Sequence, residues 1–441
     1  MTPTVSGTAA ITPPMTPERA REIAAGFDLR ALPQDFYANP YPVYTELRER
    51  EPVRHMPDGS FFLSRYDDLV AVYRDAHRFS SDKHVEFDPK YNHPPFGSRE
   101  APAPLFQHHT TSLVFNDPPL HTRVRQLMMG ALTRRAIAAM EPGLIALVDG
   151  LLDAIALRGG GDLVEDFAAA IPVEIIGNLL NVPHADRGPL RGWSLAILGA
   201  LEPQLNVEQE ELGNRAVREF GAYLERLIAE RRQHPGDPEH DVLTRLIAGQ
   251  AGVEPLSAFE LLHNCIFILN AGHETTTNLI GNALVALSEW PQEKDRLLSQ
   301  LKQRAQDPSG LEADLMLAVD EFLRFESSNQ LGNRRALVAC EIGGVPLPVG
   351  ALITLCIGAA NRDPAQFADP ERLDLARQAN RHLAFGFGIH QCAGLSLARL
   401  EGRTAIGRFL QRFPGYRLTA APTRGGRARF RGFLHAPFSV T

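Results

Sequence analysis

The chain has 441 residues, of which 44% are hydrophobic and 22% are charged, and this composition is typical of a globular protein with a sizeable core. Lys and Arg number 45 against 52 Asp and Glu, so the formal net charge of −7 argues against a general nucleic-acid-binding protein. The 4 cysteines stand far apart without a C-x-x-C pair, which argues against a disulfide scaffold or a zinc module and favours a reducing compartment.

The N-terminus is predicted to be a flexible tail over residues 1–16. It has no early positive charge and no continuous apolar core, so it lacks the features of a secretory signal. Ordered structure is predicted to begin at Thr16-Pro17-Glu18, where a cap residue precedes a proline suited to the first helical turn. No later linker divides the chain, so we expect residues 17–441 to form one domain. No run reaches the roughly 18–20 apolar residues of a membrane span, and we therefore expect a cytoplasmic protein.

Up to residue 250 the pattern is mainly helical. Helices are predicted over residues 41–51, 119–140, 143–157, 172–181, 206–233 and 240–250. Two short strands flank the turn Asp58-Gly59. Residues 84–112 show no clear periodicity and are predicted to form a long loop, and the glycines at 159–161 are predicted to be a connector.

The second half begins with the longest helical pattern, over residues 257–290, which is interrupted midway by the sequence AGHETTT. Further helix is predicted to about Phe325. Strands follow in RALVACEIGGVPLP and ALITLCIGA, and a final helix is predicted to end near Phe413. The sequence therefore predicts a mainly α protein with a small β part.

One cysteine, Cys392, follows the glycine-containing sequence FGFGIHQ and precedes an amphipathic helix that begins near Ala393-Gly394. The glycines permit a tight loop whose N–H groups point at the sulfur, and the positive helix end favours a thiolate. A single thiolate cannot make a closed zinc or iron–sulfur site, but it can supply one axial ligand to an iron held by a porphyrin. The remaining cysteines are interpreted as buried structural residues: Cys265, Cys340 and Cys356.

The run F-G-F-G-I-H-Q-C-A-G resembles the haem-binding loop of the cytochrome P450 family, and the likeness extends from about residue 30 over nearly the whole chain. Many members carry Arg where this chain has His390. The resemblance implies a helical prism with a small β lobe, which holds haem b between the long central helix and the helix after the cysteine loop. It makes Cys392 the iron ligand and assigns further haem contacts to Phe385, Gly386, His390 and Gly394.

The sequence Ala271-Gly272-His273-Glu274-Thr275 is similar to the family motif A-G-x-[DE]-T. Small side chains at 271 and 272 leave room for dioxygen above an iron. The Thr275 hydroxyl can bond back toward the carbonyl of residue 271 and loosen the helix there. The resemblance implies that Thr275 hydrogen-bonds to the oxygen and that Glu274 belongs to a proton relay. His273 is interpreted as a core histidine.

Glu321-Phe322-Leu323-Arg324 resembles the family motif E-x-x-R. Residues three apart share a helix face and can pair, although such pairs are usually exposed. The resemblance adds Arg377 as the third member of a buried triad that fixes the cysteine loop, with a structural and not a catalytic role.

His121 and Arg125, in the sequence DPPLHTRVR, lie four residues apart on one helix face. A haem has two propionate carboxylates that need cationic partners. The resemblance assigns both residues to the propionates, together with Arg334 and His390.

The activity that the resemblance implies is monooxygenation of a lipophilic substrate with dioxygen. A peroxide-driven haem hydroxylase and a non-enzymatic haem sensor or carrier are the alternatives, and Glu274 and Thr275 argue against both. The polar run at 327–330 is expected to face the substrate pocket, as are residues 84–112, 190–215 and Phe433-Leu434.

Electrons are expected from a separate protein, because the sequence has no flavin, nicotinamide or iron–sulfur motif. The chain also resembles the haem domain of self-sufficient members that carry a fused reductase. A ferredoxin with its reductase, or such a fused reductase, is the expected electron source. Eight arginines on two stretches are candidates for a basic docking face: Arg123, Arg125, Arg134, Arg135, Arg399, Arg403, Arg408 and Arg412. Of these, Arg408 and Arg412 are interpreted as solvated helix positions.

Overall fold

The structure is a computed structural model that describes residues 15–92, 102–238 and 241–440. Helices dominate it, as the sequence predicts, and none within these ranges is long and apolar enough to cross a membrane. The first helices are α1 (Pro17–Ala25), α2 (Gln34–Ala38), α3 (Tyr41–Arg50), α4 (Tyr66–Arg74), α5 (His84–Asn92), α6 (Pro104–Thr111), α7 (Leu120–Ala131), α8 (Arg134–Arg158) and α9 (Ala170–Leu179). The others are α10 (Leu190–Gly199), α11 (Val207–Gln233), α12 (Val242–Ala248), α13 (Ala258–Glu289), α14 (Pro291–Gln303), α15 (Pro308–Phe325), α16 (Ile357–Ala360) and α17 (Leu395–Arg412).

The strands are short and form a small β part. They are β1 (Val53–His55), β2 (Phe61–Leu63), β3 (Phe79–Ser80), β4 (Gly160–Asp162), β5 (Leu331–Ala336), β6 (Cys340–Ile342), β7 (Val345–Leu347), β8 (Leu352–Cys356), β9 (Arg417–Leu418), β10 (Thr423–Arg424), β11 (Phe433–His435) and β12 (Pro437–Ser439). A five-stranded sheet has the order β1-β2-β8-β5-β3, in which only β2 and β8 are parallel. A second sheet has the order β4-β12-β9, and the pairs β6-β7 and β10-β11 stand alone.

Several predicted elements need correction. The predicted loop at 84–112 contains α5 and α6, because tertiary packing buries single residues such as Phe87 and Leu105 without a long apolar stripe. The predicted helix at 119–140 is interrupted after α7, where the Thr133 hydroxyl caps a new helix by accepting from the Ala136 N–H at 3.2 Å. The glycines at 159–161 overlap strand β4, and α10 was not predicted. Most of the predicted tail at 1–16 lies outside the described residues.

Helix α13 is the longest helix of the described chain, and its ends are encoded locally. The Ser257 side chain accepts from the Glu260 N–H and the Glu260 side chain accepts from the Ser257 N–H, which is a capping box. Pro291 follows the other end. The helix packs against α9, α10, α11 and α17. Because α17 begins directly after the cysteine loop, this packing brings the loop opposite the middle of α13.

Candidate functional site

An internal cavity of about 340 Å³ lies where α13 faces the loop before α17, and this volume is typical of small-molecule sites. Ten of the residues predicted from the sequence line it: Arg125, Ala271, Gly272, Thr275, Arg334, Phe385, Gly386, His390, Cys392 and Gly394. His121, Glu274 and the predicted triad lie behind these walls. Tertiary structure therefore brings four separate motifs to one cavity.

The cysteine loop is a tight turn that ends at the start of α17. The Cys392 N–H donates to the Phe385 carbonyl at 2.8 Å. Gly388 has a φ of +72°, and a Cβ there would overlap the carbonyl oxygen of Tyr73, so only glycine fits. Burial raises the pKa of the Cys392 thiol, and the Gly394 N–H and Arg125 oppose that rise. In the protein alone burial therefore outweighs the helix start, whereas a bound metal cation would hold the sulfur as thiolate.

A cluster suited to an anion lies beside this loop. The rings of His121 and His390 have centroids 4.1 Å apart, and both nitrogens of His121 and Nε2 of His390 are buried without a hydrogen-bond partner among the described residues. Burial and the nearby Arg334 lower the pKa of His390 to about 2. The nearby carboxylate of Asp117 is engaged elsewhere, since it accepts from the Ser81 N–H at 2.8 Å.

The guanidinium groups of this cluster are not paired with carboxylates in the described part of the chain. Arg125 donates to the Gln391 carbonyl at 2.8 Å, and Arg334 donates to the Asn333 carbonyl at 2.7 Å. Two cations and three unpartnered ring nitrogens at one place fit a group with two carboxylates. The residues present thus fit a haem, with its iron toward Cys392 and its propionates toward this cluster.

Helix α13 makes additional side-chain hydrogen bonds to its backbone carbonyls where it lines the cavity. The Thr275 hydroxyl donates to the Ala271 carbonyl at 2.8 Å, and the Thr275 carbonyl accepts from the Ser328 hydroxyl at 2.8 Å. Ala271 is open to the cavity, whereas a Cβ at Gly272 would meet Ile176 at 2.5 Å. The small residue at 272 therefore also permits close packing of α9.

Glu274, which precedes Thr275 on α13, is buried and does not line the cavity. Its Oε1 lies 3.3 Å from Arg427 and 3.5 Å from the Asn278 amide nitrogen. Burial raises the pKa of the Glu274 carboxyl, and Arg427 partly opposes this. The carboxyl is thus able to hold a proton near Thr275. His273 is buried in the core, and burial lowers its pKa to about 4.

The predicted triad meets in the core. Arg324 uses all five of its N–H groups: two donate to the Glu321 carboxylate at 2.8 Å, and three donate to the carbonyls of Asn361, Pro370 and Arg372. Arg377 donates to Glu321 at 3.0 Å. These bonds join α15 to the segment that leads into the cysteine loop.

Three residues at the cavity were missed by sequence reasoning. Glu401 is 2% exposed, and burial raises its pKa to about 8 while the nearby Thr276 side chain opposes the rise. The sequence feature that could have identified Glu401 is a carboxylate on the otherwise apolar face of α17. His109 and Asn270 also line the cavity: His109 lies in the segment 84–112, which was expected at the pocket without single residues being assigned, and Asn270 directly precedes the motif that begins at Ala271.

The predicted pocket walls are partly correct. Ser328 and Asn329 of the polar run face the cavity, as do residues from 84–112 and 190–215. Ser327 and Gln330 instead make internal hydrogen bonds. Phe433 and Leu434 do not line the cavity, because β11 turns away and Arg429 and Phe430 take that place.

Most arginines of the predicted basic docking face form ion pairs with carboxylates of the same chain. The four arginines of α17 all pair with carboxylates of other elements, in the pairs Arg399–Asp320, Arg403–Glu141, Arg408–Asp149 and Arg412–Asp153. Arg123 likewise pairs with Glu260. Counting charges along one helix missed these partners, which are distant in sequence. Arg135 is exposed at the start of α8.

A cysteine loop and a cluster suited to two carboxylates border one cavity beneath α13, and this arrangement fits a haem protein with a cysteine ligand. A family model described as cytochrome P450 matches residues 201–418. The chain is 34% identical over 406 residues to cytochrome P450 107B1 of Saccharopolyspora erythraea, covering 90% of this chain and 93% of that protein. It is 36% identical over 406 residues to the cytochrome P450 monooxygenase PikC of Streptomyces venezuelae, covering 90% and 89%.

The solved structures agree with this. The crystal structure of P450BioI in complex with an acyl carrier protein ligated to hexadec-9Z-enoic acid has a TM-score of 0.83 and 30% identity, and the match covers 92% of this chain and 100% of that chain. The chain belongs to the cytochrome P450 family. It is a haem-thiolate monooxygenase, an oxidoreductase that incorporates oxygen from dioxygen into small organic substrates.

Proposed function

We propose that this enzyme binds haem b through Cys392 and oxidises a lipophilic substrate held in the cavity beneath α13. The observation that carries the proposal is that Cys392, Thr275 and the anion-binding cluster border a single cavity. The family implies cysteine-ligated haem, and we assign haem b as the form of that cofactor. Bound haem supplies the activation of dioxygen.

The groups around the haem have separate tasks. Cys392 holds the iron. His121, Arg125, Arg334 and His390 would hold the propionates, and the unpartnered ring nitrogens of the two histidines support this role. Phe385 orders the loop, since its ring lies 5.0 Å from the guanidinium of Arg399, which is itself paired with Asp320.

Proton delivery is assigned to α13. The Thr275 hydroxyl, which donates to the Ala271 carbonyl, can rotate and donate into the cavity instead. Glu274 has a raised pKa and an ion-pair partner in Arg427, so its carboxyl can pass protons toward Thr275.

The triad is assigned a structural role. Glu321 and Arg324 are fully buried, Arg377 is half-buried and bonded to Glu321, and none of the three lines the cavity, which supports a role in fixing the cysteine loop.

Family membership implies a redox partner. We assign this role to an acidic ferredoxin with its reductase, or to a fused reductase.

The 4 cysteines are free, which supports a reducing compartment and so a cytoplasmic location. The continuous packing of α13 against four helices supports residues 17–441 as a single domain.

The decisive experiment replaces Cys392 by Ser. The variant is expected to fold, but its reduced carbon-monoxide complex should lose the red-shifted absorbance band of thiolate-ligated haem. Cys340→Ser, on strand β6, is the control and should keep the band. Survival of the band in Cys392→Ser would show that the iron ligand is misassigned.

A second experiment compares product formation with dioxygen and reductant against peroxide alone. Product formed with dioxygen and reductant, but not with peroxide alone, would exclude a peroxide-driven hydroxylase, and any turnover would exclude a sensor or carrier.

A further inference from the structure

The cavity contains a second set of polar side chains, which the haem roles do not use. His109 on α6 and Asn270 on α13 both line it, and each is only 2% exposed. Both ring nitrogens of His109 and both amide atoms of Asn270 lack a hydrogen-bond partner in the described ranges. The His109 ring approaches the Ile197 backbone, but outside hydrogen-bond geometry.

Unpartnered atoms of this kind need an explanation. Buried polar groups are nearly always hydrogen-bonded, because leaving one unpaired costs its full desolvation free energy. The neighbouring cavity wall includes apolar side chains such as Leu198, Leu201 and Phe267, and its polar residues make no hydrogen bond to these four atoms. A ligand in the cavity can supply the missing hydrogen bonds.

The His109 ring is held in place by aromatic neighbours. Its centroid lies 5.6 Å from that of Phe87, 5.7 Å from Tyr91 and 5.9 Å from Phe115. The Tyr91 hydroxyl is already used, because it donates to the Ala200 carbonyl at 2.8 Å. The imidazole is therefore positioned in advance, which lowers the entropic cost of binding through it.

The chemistry of these groups selects an uncharged partner. Burial, together with the nearby cation of Lys90, lowers the pKa of His109 well below its ordinary value, so the ring is neutral. A neutral imidazole and an amide each offer one kind of donor and one kind of acceptor. A hydroxyl matches both functions and a carbonyl accepts from the donors.

Arg429, a cation of the cavity wall, is already engaged within the protein. Its three guanidinium nitrogens each donate once, to the Leu201 carbonyl, the Leu331 carbonyl and the Asn333 side chain. A carboxylate would thus have to compete with these acceptors for Arg429, and burying a carboxylate without a full ion pair is costly.

We propose that His109 and Asn270 select substrates that carry an uncharged carbonyl or hydroxyl oxygen on an otherwise lipophilic skeleton. The inference deepens the proposed function and rests on it, because the substrate must occupy the same cavity as the haem.

The test uses the haem-loaded protein and a matched series of probes: cyclododecane, cyclododecanol, cyclododecanone and cyclododecanecarboxylate. Dissociation constants are measured by the ligand-induced shift of the haem absorbance and independently by equilibrium dialysis. His109→Phe and Asn270→Leu are each expected to reduce the preference for alcohol and ketone over alkane about fivefold. His263→Phe is the control, since His263 is equally buried and contacts His108, but does not line the cavity.

A second readout separates recognition from a structural role. Replacing an unpartnered buried polar group by an apolar one of similar shape should leave the ligand-free melting temperature unchanged or higher. A lower melting temperature in both variants, with an unchanged preference, would assign these residues to folding and overturn the proposal.

Three other results would also overturn it: an unchanged preference in both variants, tightest binding of the carboxylate, or no binding of either oxygenated probe to the wild type. The proposed function is checked in the same samples through the carbon-monoxide band. Loss of that band in the wild type would contradict thiolate-ligated haem, whereas loss of preference with the band intact concerns this inference alone.

Discussion

The Glu321–Arg324 pair of the triad and the cavity wall at His109 and Asn270 are both polar and buried, yet only the Glu321–Arg324 pair is hydrogen-bonded within the protein. Every N–H of the Arg324 guanidinium has an acceptor within the protein. The four polar atoms of His109 and Asn270 have none among the described residues. A saturated network stabilises the folded chain, whereas an unsaturated one is complete only with a ligand. The predictions below test this difference.

The largest effect is expected from breaking the saturated network. Arg324→Ala should lower the free energy of unfolding by about 3–5 kcal/mol, because it leaves the fully buried Glu321 carboxylate without its main partner. Chemical denaturation followed by circular dichroism measures this. Arg21→Ala is the control, since Arg21 forms a similarly spaced but exposed pair with Glu18 at 2.8 Å, and it should cost no more than about 1 kcal/mol. Equal costs would contradict the distinction.

A large functional effect without loss of stability is expected at Thr275. Thr275→Ala should still bind haem and substrate, but product formed per NAD(P)H consumed should fall about tenfold or more, with hydrogen peroxide released instead. The control is Thr277→Ala, because its hydroxyl makes the same bond to the residue four positions earlier, at 3.0 Å, but does not line the cavity. If both variants keep the wild-type ratio of product formed to NAD(P)H consumed, protons reach the bound oxygen by another route.

Glu274→Gln should mainly slow turnover.

A pH-dependent effect is expected at Glu401. Its pKa rises from 4.5 to about 8 on folding, so the folded state retains a proton that the unfolded state releases. The stability associated with the protonated carboxyl is fully present below about 4.5 and is lost as the pH rises to about 8. Glu401→Gln should therefore melt higher than the wild type at pH 8.5, and the difference should shrink toward pH 5. A difference that does not vary with pH would show that Glu401 is ionised in the folded protein.

The smallest effect is expected at the surface. Arg135→Glu should slow reduction by an acidic ferredoxin up to about fivefold, and the difference should decrease as salt is added. Stopped-flow reduction at several ionic strengths measures this. Arg399→Glu is not a clean test of docking, because Arg399 pairs with Asp320 at 2.7 Å and packs on Phe385 of the cysteine loop. Rates that are indifferent to both salt and Arg135→Glu would exclude this part of the surface.

The sequence by itself determined the features that depend on neighbouring residues. The capping box at Ser257 and Glu260 and the proline at 291 encode the ends of α13 within a few residues. The loop around Cys392 is equally local, because Gly388 must adopt a positive φ to form it. The fold class, the haem and the type of reaction were predicted from the family resemblance of the cysteine loop and three further motifs.

Tertiary structure alone decided which distant groups meet. Arg399 looked like part of a basic surface until Asp320 was placed beside it, 79 positions away. Glu401 became a buried acid because α17 packs against α13, and His109 and Asn270 became candidates for substrate recognition because α6 and α13 border one cavity. Periodicity records which side of an element is apolar, but charge pairing, pKa and orphaned hydrogen bonds depend on what the fold brings to that side.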